Sequence, residues 1–204
     1  MHNMVEVTIM IIWNSYTTII RIILIALTLY YLLKRDFKKM KATVLVIALT
    51  FLPTLLDYFF GLRIDPVGGI LYDTVIVVSL YLGSTLGFYD RYAWWDRMLH
   101  LLAGAAFVSL GIAMADKVNN IGKFGILLFS FTLSNTLHIF WEVAEYIVDY
   151  FFHSNAQRWQ KHHPSTGHQP ENAPQPPGLV DTMNDFIFCL AGAGAACFIW
   201  WIVL

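Results

Sequence analysis

The chain has 204 residues, of which 57% are hydrophobic and only 13% are charged, with a formal net charge of −1. Soluble globular domains carry about 25% charged residues, so this composition excludes a compact soluble ball and points to an integral membrane protein. The near-neutral balance, with no basic stripe outside one short loop, excludes a nucleic-acid binder.

A helix that crosses a bilayer needs about 20 mostly apolar residues. The first stretch of that kind ends with "IIRIILIALTLYYLL" and begins as early as Val7. The second covers 42–60, with a kink expected at Pro53. The others cover 69–88, 95–115, 124–151 and 183–204. None alternates like a strand, and their lengths suit helices rather than barrel strands. The expected fold is therefore all-α, a polytopic transmembrane bundle of about six spanning helices forming one integral membrane domain over 1–204. Tyr30, Tyr31, Tyr92, Trp94, Trp95, Trp200 and Trp201 fall near segment ends, where aromatic residues mark the membrane interface.

The connecting segments are informative mainly through charge. "KRDFKKMK" holds Lys34, Arg35, Lys38, Lys39 and Lys41, and loops of the same parity add Arg91, Arg97, Arg158 and Lys161. The other side has only Arg63, Lys117 and Lys123. The positive-inside rule then places the 34–41 loop and the proline-rich polar loop 153–180 in the cytoplasm, with both termini outside. The start "MHNMVEVTIM" lacks a cationic segment, so no cleaved signal peptide is expected. No internal repeat supports an inverted-repeat transporter. Cys189 and Cys197 lie on one helix about 12 Å apart along its axis, too far for a mutual disulfide.

Three segment ends of the same parity carry acids and histidines. "WWDRMLHLLAG" opens the fourth segment with Asp96 and His100. "HIFWEVAEYIVD" closes the fifth with His138, Glu142, Glu145 and Asp149, which fall on one helical stripe. "VDTMNDFIF" opens the sixth with Asp181 and Asp185. A charge at the centre of a spanning helix costs about 2.5–3.5 kcal/mol on insertion scales, so the stripe is expected to face protein, water or an ion. Small residues in "LLAGAA" and "LAGAGAA" allow the fourth and sixth helices to approach closely. Imidazoles and carboxylates without thiolates suit a divalent metal: Zn, Mn or Fe, or Mg where oxygens dominate. Clustered carboxylates also suit a proton relay.

Structural readings stand beside these. Asp181 or Thr182 can serve as the N-cap of the sixth helix, with Thr182 and Asp185 as a capping box, and Asp96 can cap the fourth. Asp149 is expected on a solvated face. His162, His163 and His168 offer further ligands, but a solvated loop accounts for them. Asp57 and Asp73, with Arg63 and Asp65 between them, are expected to form an ion-paired cluster at the opposite membrane face. Arg21 either snorkels or pairs inside the bundle. His138 and Glu142 lie too deep for such explanations.

"YDRYAWWDRMLHLLAG", "FWEVAEYIVD", "RWQ" and "DTMNDFIFCLAGAGAA" together resemble the YjdF-like family of bacterial inner-membrane proteins. The shared pattern is D-x3-H, then W-E-x2-E, then D-T-x2-D followed by small residues. A weaker resemblance, an acid and a histidine opening one helix, is to VanZ-like membrane proteins. The likeness covers about residues 69–200, and before it the chain agrees only in hydropathy. It implies a small polytopic helical protein of the bacterial cytoplasmic membrane, and marks Asp96, His100, Glu142, Glu145, Asp181 and Asp185.

No HExxH, GxSxG or P-loop pattern occurs, which leaves zincin, elbow-serine and nucleotide-hydrolase chemistry without support. The expected function is a metal-assisted enzyme acting on a lipid or lipid-linked substrate at the cytoplasmic interface. Asp96, His100, His138 and Glu142 are the expected metal ligands, and Glu145 or Asp185 the general base or a further ligand. Asp149 and Asp181 are secondary candidates. Arg97, Arg158 and Lys161 are placed to neutralise a phosphate. The alternatives are a small proton-coupled transporter or binding protein using the same carboxylates, and a structural membrane scaffold.

Overall fold

The computed structural model describes residues 2–118, 121–157, 159 and 175–203. Every regular element among them is helical. Six stretches are long and apolar enough to cross a membrane: Val7–Leu33, Phe37–Phe60, Pro66–Thr85, Trp95–Ala115, Lys123–Phe152 and Pro177–Val203. The all-α polytopic architecture expected from hydropathy is the observed one. Much of its large apolar surface is exposed, including Phe140, Phe151, Phe198 and Ile202, as expected of side chains whose solvent is lipid. By its internal contacts the chain divides into two compact units, Met1–Leu86 and Gly87–Leu204.

In the first unit, α1 (His2–Leu33) packs on α2 (Phe37–Leu49) and α4 (Pro66–Ile76). Asp36 caps α2 by accepting from the Lys39 amide at 3.1 Å. The second span is broken rather than merely kinked: α2 stops at Leu49, and α3 (Leu52–Phe60) restarts with Pro53 in its first turn. Pro53 has no amide hydrogen to offer the Leu49 carbonyl. Tyr72 supplies the missing donor, its hydroxyl 3.0 Å from Leu49 O, and Arg21 Nη2 donates to the next carbonyl, Thr50 O, at 2.8 Å. Neighbouring side chains thus satisfy the backbone that a proline frees in an apolar medium. α3 ends at Gly61, whose φ of 63° is the left-handed cap geometry glycine adopts without cost. α4 then starts from Asp65, which accepts from Gly68 N at 2.8 Å. The third span continues as a π-helical stretch, Val77–Thr85, where Thr85 Oγ1 donates to Leu80 O at 2.8 Å. The core of this unit is Leu24, Val46, Tyr31 and Tyr81, with the two phenol hydroxyls 2.9 Å apart.

In the second unit, a short helix α5 (Phe88–Arg91) precedes α6 (Trp95–Ala115), α7 (Lys123–Phe152) and α8 (Pro177–Val203). α6 is the central helix: more of its apolar stretch is buried than of α7's or α8's. Glycine sets the spacing. A Cβ at Gly104 would collide with the backbone of Cys189, and one at Gly192 with the backbone of Leu101. The small-residue runs therefore do bring α6 and α8 into close contact. Ser134 of α7 donates to Gly104 O at 2.9 Å, tying the third helix to the same point. Val108, Ile112, Leu127 and Ala193 fill the centre. Both cysteines are free thiols.

Candidate functional site

The start of α8 changes the reading of its acids. The helix opens at Pro177, a residue suited to the first turn because its absent amide hydrogen has no partner there anyway. Asp181 and Asp185 therefore sit inside the helix, and the N-cap and capping-box readings of Asp181, Thr182 and Asp185 do not hold. Asp96 is likewise not the cap of α6: Trp94 occupies that position, and no side chain caps it. Asp96 lies within the first turn, where the helix dipole favours a negative charge.

The opening turns of α6 and α8 meet the C-terminal half of α7 around one buried polar cluster. Asp96, His100, His138, Glu142, Asp181 and Asp185 are all buried, His138 to 3% exposure, Glu142 to 5% and Asp185 to 2%. His100 Nε2 lies 3.6 Å from Asp96 Oδ1 on its own helix and 3.6 Å from Asp185 Oδ1 on α8. His138 Nε2 lies 3.7 Å from Glu142 Oε1, one turn further along α7. The two imidazoles meet edge to face, with centroids 4.8 Å apart. Phe186 also meets His138 edge to face, its ring centroid 5.0 Å away.

Two groups of ligand atoms result, each with all its atoms within 4.8 Å of one another: His100, His138 and Glu142, and Asp96, His100 and Asp185. His100 belongs to both. Among the described residues, His138 Nε2 and both Glu142 carboxylate oxygens are buried with no hydrogen-bond partner. Buried polar atoms in folded proteins almost always have one. Glu142 and Asp185 pair with histidines, and no described lysine or arginine forms a salt bridge with them.

The remaining expected residues separate. Glu145 is half-buried, outside both groups, and accepts from Trp141 Nε1 at 2.8 Å. Asp181 is buried one turn before Asp185 and also outside them. Arg97 is partly buried and in neither group. Asp149 is not on a solvated face. It is 8% exposed and accepts from Ser154 Oγ, from Ala156 N at 2.7 Å and from Gln157 N at 2.9 Å. The chain turns back after α7 through His153 in the left-handed region, and Asp149 collects the amides this turn frees. The next link runs from Gln157 Nε2 to Thr182 Oγ1 at 3.3 Å, joining the turn to α8. Sequence spacing gave no sign of it, since the partners belong to no periodic pattern. Arg158, Lys161, His162, His163 and His168 lie outside the described residues.

In the first unit, Arg63 and Asp57 form an exposed pair at 3.7 Å, as expected for that cluster. Asp73 is not part of it. It is fully buried and accepts from Trp13 Nε1 at 3.1 Å and from Thr17 Oγ1. Arg21 does not snorkel: it is held by Thr50 and its guanidinium lies 3.7 Å over the Phe51 ring.

Comparison with curated proteins and with solved structures gave no match. A family model described as "Predicted membrane protein (DUF2238)" matches residues 16–204, reaching across the second span and into the first, where the motif resemblance stops at hydropathy alone. The chain thus belongs to the DUF2238 family of predicted membrane proteins.

Proposed function

We propose that the α6–α7–α8 cluster is a divalent-metal centre inside the membrane, and that the protein uses it as an enzyme on a lipid or lipid-linked substrate. The observation that carries the proposal is the trio His100, His138 and Glu142: three ligands within 4.8 Å, with His138 Nε2 and both Glu142 oxygens buried beside one another and outside hydrogen-bond geometry. A buried carboxylate whose ion-pair partner is an imidazole 3.7 Å away is costly, and a cation offsets that cost. Donor atoms around one zinc ion at about 2.0–2.2 Å lie roughly 3–4.5 Å apart, so small side-chain adjustments suffice to close the site. The nitrogen and oxygen donors suit Zn, Mn or Fe, or Mg where the carboxylates dominate. Asp96 and Asp185 complete the set through their shared partner His100.

A metal held there supplies a Lewis acid for a phosphoryl or carbonyl oxygen, or an activated water. The chain's own groups take the other roles. Glu145, half-buried beside the cluster's helix face, is the candidate general base, and Arg97 the candidate partner for a substrate phosphate. The outward apolar faces supply the route from lipid. The YjdF-like reading of the family, the bacterial cytoplasmic membrane as location, and cytoplasmic 34–41 and 153–180 loops belong to the same proposal, supported by the three motifs and the basic loops. The test is metal analysis of the detergent-purified protein, prepared without chelators, beside the His138→Ala and Glu142→Gln variants. Stoichiometric metal in the wild type, lost in both folded variants, supports the reading. A metal-free wild type overturns it.

A further inference from the structure

The first unit contains a separate polar cavity. α1 packs on α2 and α4, and α3 stands off from it beyond the break at Thr50 and Phe51. The space left has a volume of about 590 Å³, within the range of small-molecule pockets. Arg21, Thr50, Asn14 and Thr17 are among the residues that line it, together with the Asp57–Arg63 pair. Arg21 lies near the middle of the Val7–Leu33 span, where an arginine is expensive unless it serves a purpose.

Closing the helix break accounts for only part of that guanidinium. Its Nε donates to Thr50 Oγ1 at 3.0 Å and its Nη2 to Thr50 O at 2.8 Å. An arginine has five N–H donors, so donors remain on a group that lines a cavity. Trp13 Nε1 and Thr17 Oγ1 donate to Asp73, which fixes both side chains in place. Arg63 adds a second cation to the lining; its ion-pair partner among the described residues, Asp57, lines the cavity too, and both side chains are exposed enough to separate. Two guanidinium groups with hydroxyl and amide neighbours match an oxoanion, which takes paired N–H donors from one planar fork and would displace the exposed Asp57 from Arg63.

We infer that this cavity binds an oxoanion, a phosphate or carboxylate group, with Arg21 as its inner anchor and Arg63 as its outer one. The group comes either from an anionic lipid headgroup or from a small solute. The proposal is independent of the metal reading, because it rests on different residues in the other unit.

The experiment uses the full chain in nanodiscs. One arm measures binding of radiolabelled inorganic phosphate in phosphatidylcholine discs. The other measures retention of phosphatidylglycerol over phosphatidylcholine by native mass spectrometry of protein released from mixed discs. Wild type is compared with Arg21→Gln, Arg63→Gln and Tyr72→Phe. Phosphate binding identifies a solute site and selective phosphatidylglycerol retention a headgroup site, and either supports the proposal. Arg21→Gln should weaken the observed binding about 10- to 100-fold, as removal of a charge-assisted pair does. Arg63→Gln should weaken it several-fold. Tyr72→Phe removes the donor to Leu49 O from outside the cavity lining, so it should lower thermal stability while binding persists. If Arg21→Gln fails to fold, Arg63→Gln decides, since that side chain is exposed. Absence of binding in both arms, or binding unchanged in Arg63→Gln and in any folded Arg21→Gln, overturns the proposal.

Discussion

His100 of α6 and His138 of α7 meet edge to face, ring centroids 4.8 Å apart, and each also lies within 3.7 Å of a carboxylate oxygen. Two imidazoles and their acids packed this closely are either ligands waiting on a cation or a polar network that pins three helices together. The two cases respond differently to a chelator. If a metal joins them, ligation stabilises the fold by mass action, by about 2.7 kcal/mol at a hundredfold excess over Kd. Chelation should then lower the melting temperature of the wild type by roughly 5 °C or more, and leave Glu142→Gln unmoved. Equal melting with and without chelator would favour the packing network.

Asp149 gives a prediction of the opposite kind. It gathers Ser154 Oγ and the amides of Ala156 and Gln157 at the end of α7. Asp149→Ala should cost about 1.5–3 kcal/mol, the range for charge-assisted hydrogen bonds. The same variant should retain metal, because Asp149 belongs to neither ligand group. Thermal melting and metal analysis of one preparation check both halves, and metal lost from a folded Asp149→Ala would bring Asp149 into the site.

Hydropathy made the six spans legible, and their ends came out within about three residues except at the starts of the second span, expected at 42 and found at Phe37, and of α8, expected at 183 and found at Pro177. At α8 the segment 177–182 opens on Pro-Gly and carries Asp181 yet is helical, because Pro177 starts a helix whose acids turn inward rather than toward water. Spacing showed the His138–Glu142 stripe, and small-residue runs showed the close contact of α6 with α8. Spacing could not show that Asp149 leaves the stripe's role to serve a turn. Nor could it show that Tyr72 and Arg21 repair the break before Pro53. Those partners are distant in sequence and are selected by tertiary geometry, which leaves no periodic trace.

The glycine contact is tested by contrast. A Cβ at Gly192 would strike the Leu101 backbone, whereas one at Gly194 meets nothing within 4 Å. Gly192→Ala should destabilise by about 1–3 kcal/mol, the usual range for overpacking. Gly194→Ala should be neutral or stabilising by up to about 1 kcal/mol. Equal effects in a detergent melting series would contradict the close approach of α6 and α8.

Topology has its own check. Cysteines placed singly at Lys38 and at Gln169, in a chain lacking Cys189 and Cys197, should react with a membrane-impermeant maleimide only after cells are opened. Labelling of both in intact cells would reverse the orientation that the basic loops support.

The most direct measurement of the central claim is the metal content of wild-type protein purified without chelators, by elemental mass spectrometry. The expected result is about one divalent ion per chain, or two if both ligand groups fill, with the content falling at least about tenfold in His138→Ala. Wild-type protein that stays metal-free, even after incubation with Zn, Mn, Fe and Mg and gel filtration, would contradict the claim.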